Sequence, residues 1–363
     1  MICHVIPSDG PGGLQATVYQ LLAADSMQVA YPLKLWRSGL SIDADPISST
    51  HRGEIRRLLA LRVRLKSAAR HSEVTIVGWG YHGALVALAL SVSVRSARII
   101  WSIRQTNPFL ASTNPLSWVI ACVLSPLSRL NRVENIVYCS SSAQEFHSLL
   151  GYSREKSTVV ENTYRGTGEV SGNYSSRTKA ERSPSSYTVA TSGRDTRVKR
   201  LPLFISAMSH LPEFLHGKPV VAKIFVVGSQ IDVRNLQKNI PPRMKKRILV
   251  VAHTSSKWRE EARSISLFIS LSSTEGRQNA VLDALHAGSP VLLNRARHNH
   301  PWLAAGAIFL TNLRPKNIAK TVVNILSSPD ELTRCEENGK HYLAQQPANS
   351  SVEKWLALLP KIH

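Results

Sequence analysis

Apolar residues recur along this chain in two alternating patterns. Short strand-like runs appear at Ile2–Ile6, Val74–Val77 and Arg98–Ile103, and again at Tyr187–Thr191, Val220–Val227, Ile248–Val251 and Ile265–Leu271. In the last of these, Ile265, Leu267, Ile269 and Leu271 occupy every second position, the period of a strand. Helix-compatible stretches lie among them, at about Leu14–Ala24, Ala84–Val94, Pro202–Leu211 and Asn279–Ala287. The closing SVEKWLALLPKIH reads as one more amphipathic helix. Strands alternating with helices predict an α/β fold built on parallel sheets. From Gly166 to Ser186 the chain turns polar, rich in Ser and Gly and without apolar periodicity, as a linker or exposed loop does. The expected organisation is two Rossmann-like, doubly wound domains facing each other across a cleft. The first spans 1–165, the polar loop 166–186 and the second domain 187–342. Residues 343–363 form a final helix that could return to the first domain.

Composition narrows the class. With 363 residues, 43% of them apolar, the chain has material for two cores and is not disordered. Four cysteines, Cys3, Cys122, Cys139 and Cys335, show no metal-ligand spacing and fit a reducing compartment. The start Met-Ile-Cys-His-Val-Ile has no basic n-region, and the apolar runs near Ala84–Val94 and Trp118–Leu127 are too short to span a bilayer. A cytoplasmic protein, free or resting on a membrane surface, is therefore expected. Charge adds a second theme: 45 Lys and Arg against 24 acids give a formal +21. Such an excess points to anionic partners. Its densest segment, Ile55–Arg70, sets Ile55, Leu58, Leu59, Leu61 and Leu65 among Arg56, Arg57, Arg64, Lys66 and Arg70. That is the pattern of a helix lying on anionic lipid, but burial of the apolar stripe favours a domain helix, whose basic rim is solvated or faces a membrane.

The chemistry concentrates in SSTEGRQNAVLDALHAGSPVLL, Ser272–Leu293, a strand exit, an acid-glycine turn, a short helix beginning near Asn279, a terminating Gly288 and another strand. A helix N-terminus after such a turn suits a phosphate, because its first backbone N–H groups and dipole end point outward. The segment resembles the C-terminal signature of retaining family-4 glycosyltransferases, roughly E-G-F-x-x-x-x-x-E-A-x-A-x-G-x-P-V. Glu275, Gly276, Ala284, Ala287, Gly288, Pro290 and Val291 fall on it, with Asp283 at the second acid and Arg277 at the aromatic position. The resemblance implies that Glu275 contacts the donor sugar and Asp283 the ribose, with Gly276 and Asn279 beside the donor.

Other segments extend the resemblance in family order. TSGRDTRVKRL, Thr191–Leu201, is similar to the G-R-x-x-x-x-K-G element: Gly193, Arg194 and Lys199 match, and Arg200 replaces the glycine. The resemblance makes Arg194 and Lys199 the clamp on the donor diphosphate. A fixed guanidinium and ammonium stabilise charge developing on that leaving group more in the transition state than in the ground state. After the first strand, Gly12 and Gly13 match a G-G-x-E turn with Gln15 in place of Glu, and small residues there let a phosphate or sugar approach the backbone. His82, in VGWGYHGALVALAL, and Arg104, in IIWSIRQTNP, resemble strand-end residues of the polysaccharide members and become sugar-side or acceptor-side candidates. Ser141, His147, Gly151, Tyr152 and Asn162 fit the element at the domain junction, where Thr163 replaces the usual glycine.

The resemblance therefore implies a retaining, metal-independent glycosyltransferase of GT-B architecture. Its first domain would take the acceptor and its second the nucleotide sugar, with no cofactor. The basic surface adds a lipid-linked or other glycan acceptor of bacterial envelope synthesis, and a peripheral site on the inner face of the cytoplasmic membrane. Asp43-Ala44-Asp45 imitates the D-x-D metal motif of another glycosyltransferase fold, but sits in a Ser- and Pro-containing stretch and reads as a loop. Two rivals use the same features: a non-catalytic GT-B protein that binds polyanions, and a nucleotide-sugar epimerase. Nucleic acid is not expected, since no aromatic-interleaved basic strand or helix-turn-helix pattern appears.

Overall fold

The computed structural model describes residues 1–7, 13–24, 28–32, 51–106, 115–162, 185–226, 230–252, 255–345 and 350–360. Asp43, Asp45, Gly12, Thr163 and nearly all of the polar segment 166–186 lie outside them. The chain forms two compact units. One comprises Met1–Asn162, Glu275–Arg277 and Asn349–His363; the other comprises Thr163–Thr274 and Gln278–Ala348. The expected division after 342 falls within the helix Pro329–Ala344, and the helix Ser350–Leu358 belongs to the first unit. Among the described residues no helix is long and apolar enough to cross a membrane.

The first unit holds six parallel strands, β1 (Ile2–Ile6), β2 (Gln28–Pro32), β3 (Thr75–Trp79), β4 (Arg98–Ile103), β5 (Val133–Tyr138) and β6 (Ser157–Val159), in the order β2-β1-β3-β4-β5-β6. Helices cover both faces, so strands such as β1 and β3 are buried along their whole length. Cys3, Val5, Ile99 and Trp101 point to one face, under the helices His51–Ala68, Gly80–Ser93 and Pro115–Leu127. Ile2, Ile6, Val77 and Ile100 point to the other, under Gly13–Ala24 and the returning Ser350–Leu358. The helix expected from Ala84 starts earlier, at Gly80. Glycines explain the tight entry: Gly80 takes φ +66°, and a Cβ on Gly83 would stand 2.6 Å from the Val5 carbonyl oxygen.

The second unit carries β7 (Tyr187–Gly193), β8 (Phe214–Leu215), β9 (Lys218–Val226), β10 (Ile248–Ala252), β11 (Leu267–Ser270), β12 (Val291–Asn294) and β13 (Ile308–Leu310). Six run parallel in the order β10-β9-β7-β11-β12-β13, and β8 pairs antiparallel with β9. Numbered within the unit and leaving out β8, this is the order 3-2-1-4-5-6 of a dinucleotide-binding sheet. The helices Leu201–Met208, Gln230–Lys238 and Pro315–Leu326 fill one face, and Ser255–Ala262, Asn279–His286 and Pro329–Ala344 the other.

Two buried histidines anchor the first unit in neutral form. The Trp79 indole N–H donates to His4 Nδ1 at 3.0 Å, so His4 Nε2 carries the proton and donates to Gln28 Oε1 at 2.7 Å. This chain crosses β1, β2 and β3. Trp79 then stacks on Trp355 at 4.8 Å between ring centroids, fastening the last helix to the sheet. His147 Nδ1 donates to the Ala143 carbonyl, and its Nε2 accepts from the Tyr81 hydroxyl, both at 2.7 Å. Burial lowers both imidazoles from 6.5 to about 4. In the unfolded chain they titrate near 6.5, so between these values the unfolded state binds more protons and stability rises with pH. We predict that the denaturation midpoint is maintained at neutral pH and falls as pH drops from about 6.5 towards 4. Each histidine contributes on the order of 3 kcal/mol over that window. Imidazole titration by NMR near 6.5 in the folded protein would refute this account.

Candidate functional site

In the second sheet the strand order reverses between β7 and β11, and loops leaving their carboxyl ends diverge to opposite faces of the sheet, opening a crevice. β7 ends at Gly193, followed by the exposed Arg194. The loop folds back through Lys199 N–H to the Thr196 carbonyl at 3.0 Å, laying the half-buried Lys199 stem across Gly193. A Cβ on Gly193 would lie 2.9 Å from Lys199 Cδ, so the glycine makes room for the lysine. Arg200 follows at φ 51°, ψ 39°, the left-handed region, and opens the helix Leu201–Met208. A glycine suits this position for a physical reason, because a side chain there costs roughly 1 kcal/mol. The β11 loop is tied to this one: Ser273 N–H donates to the Val198 carbonyl at 2.9 Å.

The turn after β11 is braced by buried amides. Asn294 Nδ2 donates to the Ser272 carbonyl at 2.9 Å, Asn299 Nδ2 to Asn294 Oδ1 at 2.7 Å, and Gln278 Nε2 to Asn299 Oδ1 at 2.7 Å. The relay joins the two ends of the turn, Ser272 and Gln278. Sequence patterning did not single out Asn294 or Asn299; Asn294 closes β12 and Asn299 follows in a 3-10 turn, so only the fold returns them to the turn. The helix Asn279–His286 buries Val281, Leu282, Ala284 and Leu285. Its half-buried Asn279 and Asp283, four residues apart, share the opposite side. The N-cap residue of this helix, Gln278, makes no side-chain capping hydrogen bond.

The middle of that turn, Glu275–Arg277, groups with the first unit. There the Thr106 hydroxyl donates to the Glu275 carbonyl, and the Arg277 guanidinium, its side chain 4% exposed, pairs with Glu161. The Arg277 cation is thus held by a carboxylate. Gly276 lies against the Arg104 carbonyl and the Cys139 sulfur, leaving no space for a Cβ. Arg104 follows β4, donates to Asn162 and stands over the Trp79 ring, 5.7 Å from its centroid. Burial lowers the Arg104 pKa and raises that of Cys139. His82 lies in the first turn of Gly80–Ser93 rather than at the strand end, half-buried, and burial lowers its pKa below the ordinary value. Gly13 is the first residue of the helix Gly13–Ala24. The second unit therefore contains Gly193, Arg194, Lys199, Asn279 and Asp283, and the first contains Gly13, His82, Arg104, Glu275 and Gly276.

Residues 175–342 match the family model described as glycosyl transferases group 1. Among solved structures, Alr3699/HepE of Anabaena in complex with UDP and glucose is similar at a TM-score of 0.75 and 14% identity, covering 98% of each chain. WaaG, a glycosyltransferase involved in lipopolysaccharide biosynthesis, is similar at 0.68 and 13%, covering 99% of each. OtsA in its apo form is similar at 0.69 and 11%, covering 100% of this chain and 99% of its own. At such identities the likeness shows the fold, two Rossmann-like domains as in GT-B glycosyltransferases. No protein of curated function matches the chain by sequence.

Two substitutions test this local account. Arg200→Gly relieves the left-handed strain and should stabilise the protein by about 1 kcal/mol in urea denaturation. Asn299→Leu strips partners from Gln278 and Asn294 and should cost about 2–3 kcal/mol. An unchanged midpoint in either variant contradicts the corresponding strain or bracing.

Proposed function

We propose that the protein is a retaining glycosyltransferase that moves a sugar from a nucleotide-sugar donor to a lipid-linked glycan acceptor of bacterial surface polysaccharide synthesis. The observation that carries the reading is the loop bearing Arg194 and Lys199 tied beside the β11 turn where the strand order reverses, within a stretch that matches the glycosyl transferases group 1 model. Cleavage of the sugar–diphosphate bond leaves an anionic nucleotide, which Arg194 holds through paired N–H groups and Lys199 through a point charge. Gly193 and Gly276 let donor and backbone approach closely, Asn279 presents the helix N-terminus to the diphosphate, and Asp283 accepts from the ribose hydroxyls. Glu275 orients the sugar, and departure and attack occur on one face of it, which retains configuration. Gly12 and Gly13 admit the donor phosphate, while His82 and Arg104 serve the acceptor side.

In this reading the two cations replace a metal, and no cofactor is used. UDP is favoured as the nucleotide because the similar HepE structure holds it. The +21 charge supports an anionic lipid-linked acceptor and a peripheral position on the inner face of the cytoplasmic membrane.

Thermal-shift measurement against UDP-, GDP-, ADP- and CMP-sugars should raise the melting temperature with one nucleotide class, UDP expected. Arg194→Ala and Lys199→Ala should each lower transfer about a hundredfold while the fold persists. Gly193→Ala should lower transfer by displacing Lys199, with little change in melting temperature. Full transfer by the Arg194→Ala, Lys199→Ala double variant refutes the clamp. Salt-sensitive RNA binding without any nucleotide-sugar binding refutes the enzyme.

A further inference from the structure

On one face of the first sheet, the helix Gly80–Ser93 packs between His51–Ala68 and Pro115–Leu127. Pro115–Leu127, PLSWVIACVLSPL, contains no charged residue. It buries Ile120, Ala121, Leu124 and Ser125 against the core, yet its outer side is also apolar: Leu116, Trp118, Val119 and Val123 are 42–47% exposed, and Cys122 is exposed beside them. A surface helix ordinarily turns charge outward. The flanking helix repeats the exception. Leu61 and Leu65 face inward, while Ile55, Leu59 and Val63, four residues apart, are 50–66% exposed. Exposed Arg56, Arg62 and Lys66 lie among these outer side chains, and Ile55–Arg70 contains no acid.

We infer that this layer docks on an anionic bilayer, with Val119, Cys122 and Val123 entering the boundary between headgroups and acyl chains. The cations of His51–Ala68 lie on the lipid phosphates. Charge selects the occupant. A second copy would bring another +21 against this surface, whereas an anionic leaflet complements it. Apolar side chains supply depth and cations supply attraction, and neither helix needs to span the membrane. The inference rests on the peripheral reading proposed above and names the surface that serves it.

Cys122 provides the probe, because Cys3, Cys139 and Cys335 are buried. The full chain labelled there with an environment-sensitive nitrobenzoxadiazole dye should brighten and shift to the blue with phosphatidylglycerol-containing vesicles, and not with phosphatidylcholine alone. Val119→Asp with Val123→Asp should lower vesicle partitioning about tenfold or more. Both sites are exposed, so its melting temperature and its shift by nucleotide sugar should be unchanged. Sedimentation with anionic vesicles while the dye stays in water overturns the inference, as does unaltered partitioning of the double variant. Self-association abolished by the same variant would also overturn it, making the face a dimer interface. Vesicle binding without nucleotide-sugar binding would refute the glycosyltransferase reading and leave the docking surface standing.

Discussion

Both sheets are built from strands paired in parallel, with the short β8 alone running antiparallel among the described strands. When neighbouring strands run the same way, every connection crosses a face of the sheet, so helices cover both faces and the strands become apolar throughout. All carboxyl ends then share one edge of each sheet. Where the strand order reverses, two such ends carry loops to opposite faces and leave a crevice lined by backbone. In the second unit, that point brings the Gly193–Lys199 loop beside the turn following β11, joined by the Ser273–Val198 hydrogen bond. Chemistry gathers there because the backbone route requires a gap.

Rigidity at the strand ends comes from polar groups satisfied away from water. Two asparagines and a glutamine brace the β11 turn, and a neutral His4 links β1, β2 and β3 through Trp79 and Gln28. Such buried networks are costly to leave incomplete. In the first unit Trp79 joins the interior to the edge, stacking on Trp355 and lying under the Arg104 guanidinium. Arg104 is therefore held by a ring and an amide, and its charge sits in a poorly solvated place.

Much of the fold was legible in the chain. The limits of β1 and β4 coincide with the apolar runs at Ile2–Ile6 and Arg98–Ile103, because strands buried on both faces leave uninterrupted signals. β11 is shorter than the alternation of Ile265–Leu271, since pairing with β7 and β12, not periodicity, sets a strand's ends. The helix placed from Ala84 starts at Gly80, because glycines at 80 and 83 permit a close entry that composition alone disfavours. That shift moves His82 from a strand end into a helical turn. Arg200 was visible as a replaced glycine, but only its φ of 51° gives the replacement a physical cost.

The alternation of strands and helices, the excess of positive charge and the residue types at each strand end can all be read along the chain, because these are local properties of composition and spacing. Tertiary structure decided which of them act together. Asn294 and Asn299 carry no sequence pattern, and become parts of the site only when the polypeptide returns them to Ser272 and Gln278. Arg277 is an unexplained cation in the chain and half of an ion pair with Glu161 in the fold. The apolar run around Trp118–Leu127 is ambiguous in one dimension; packing against Gly80–Ser93 divides it into a buried side and an exposed one. Contacts between distant residues depend on how strands order themselves in a sheet, and no local window of sequence contains that order.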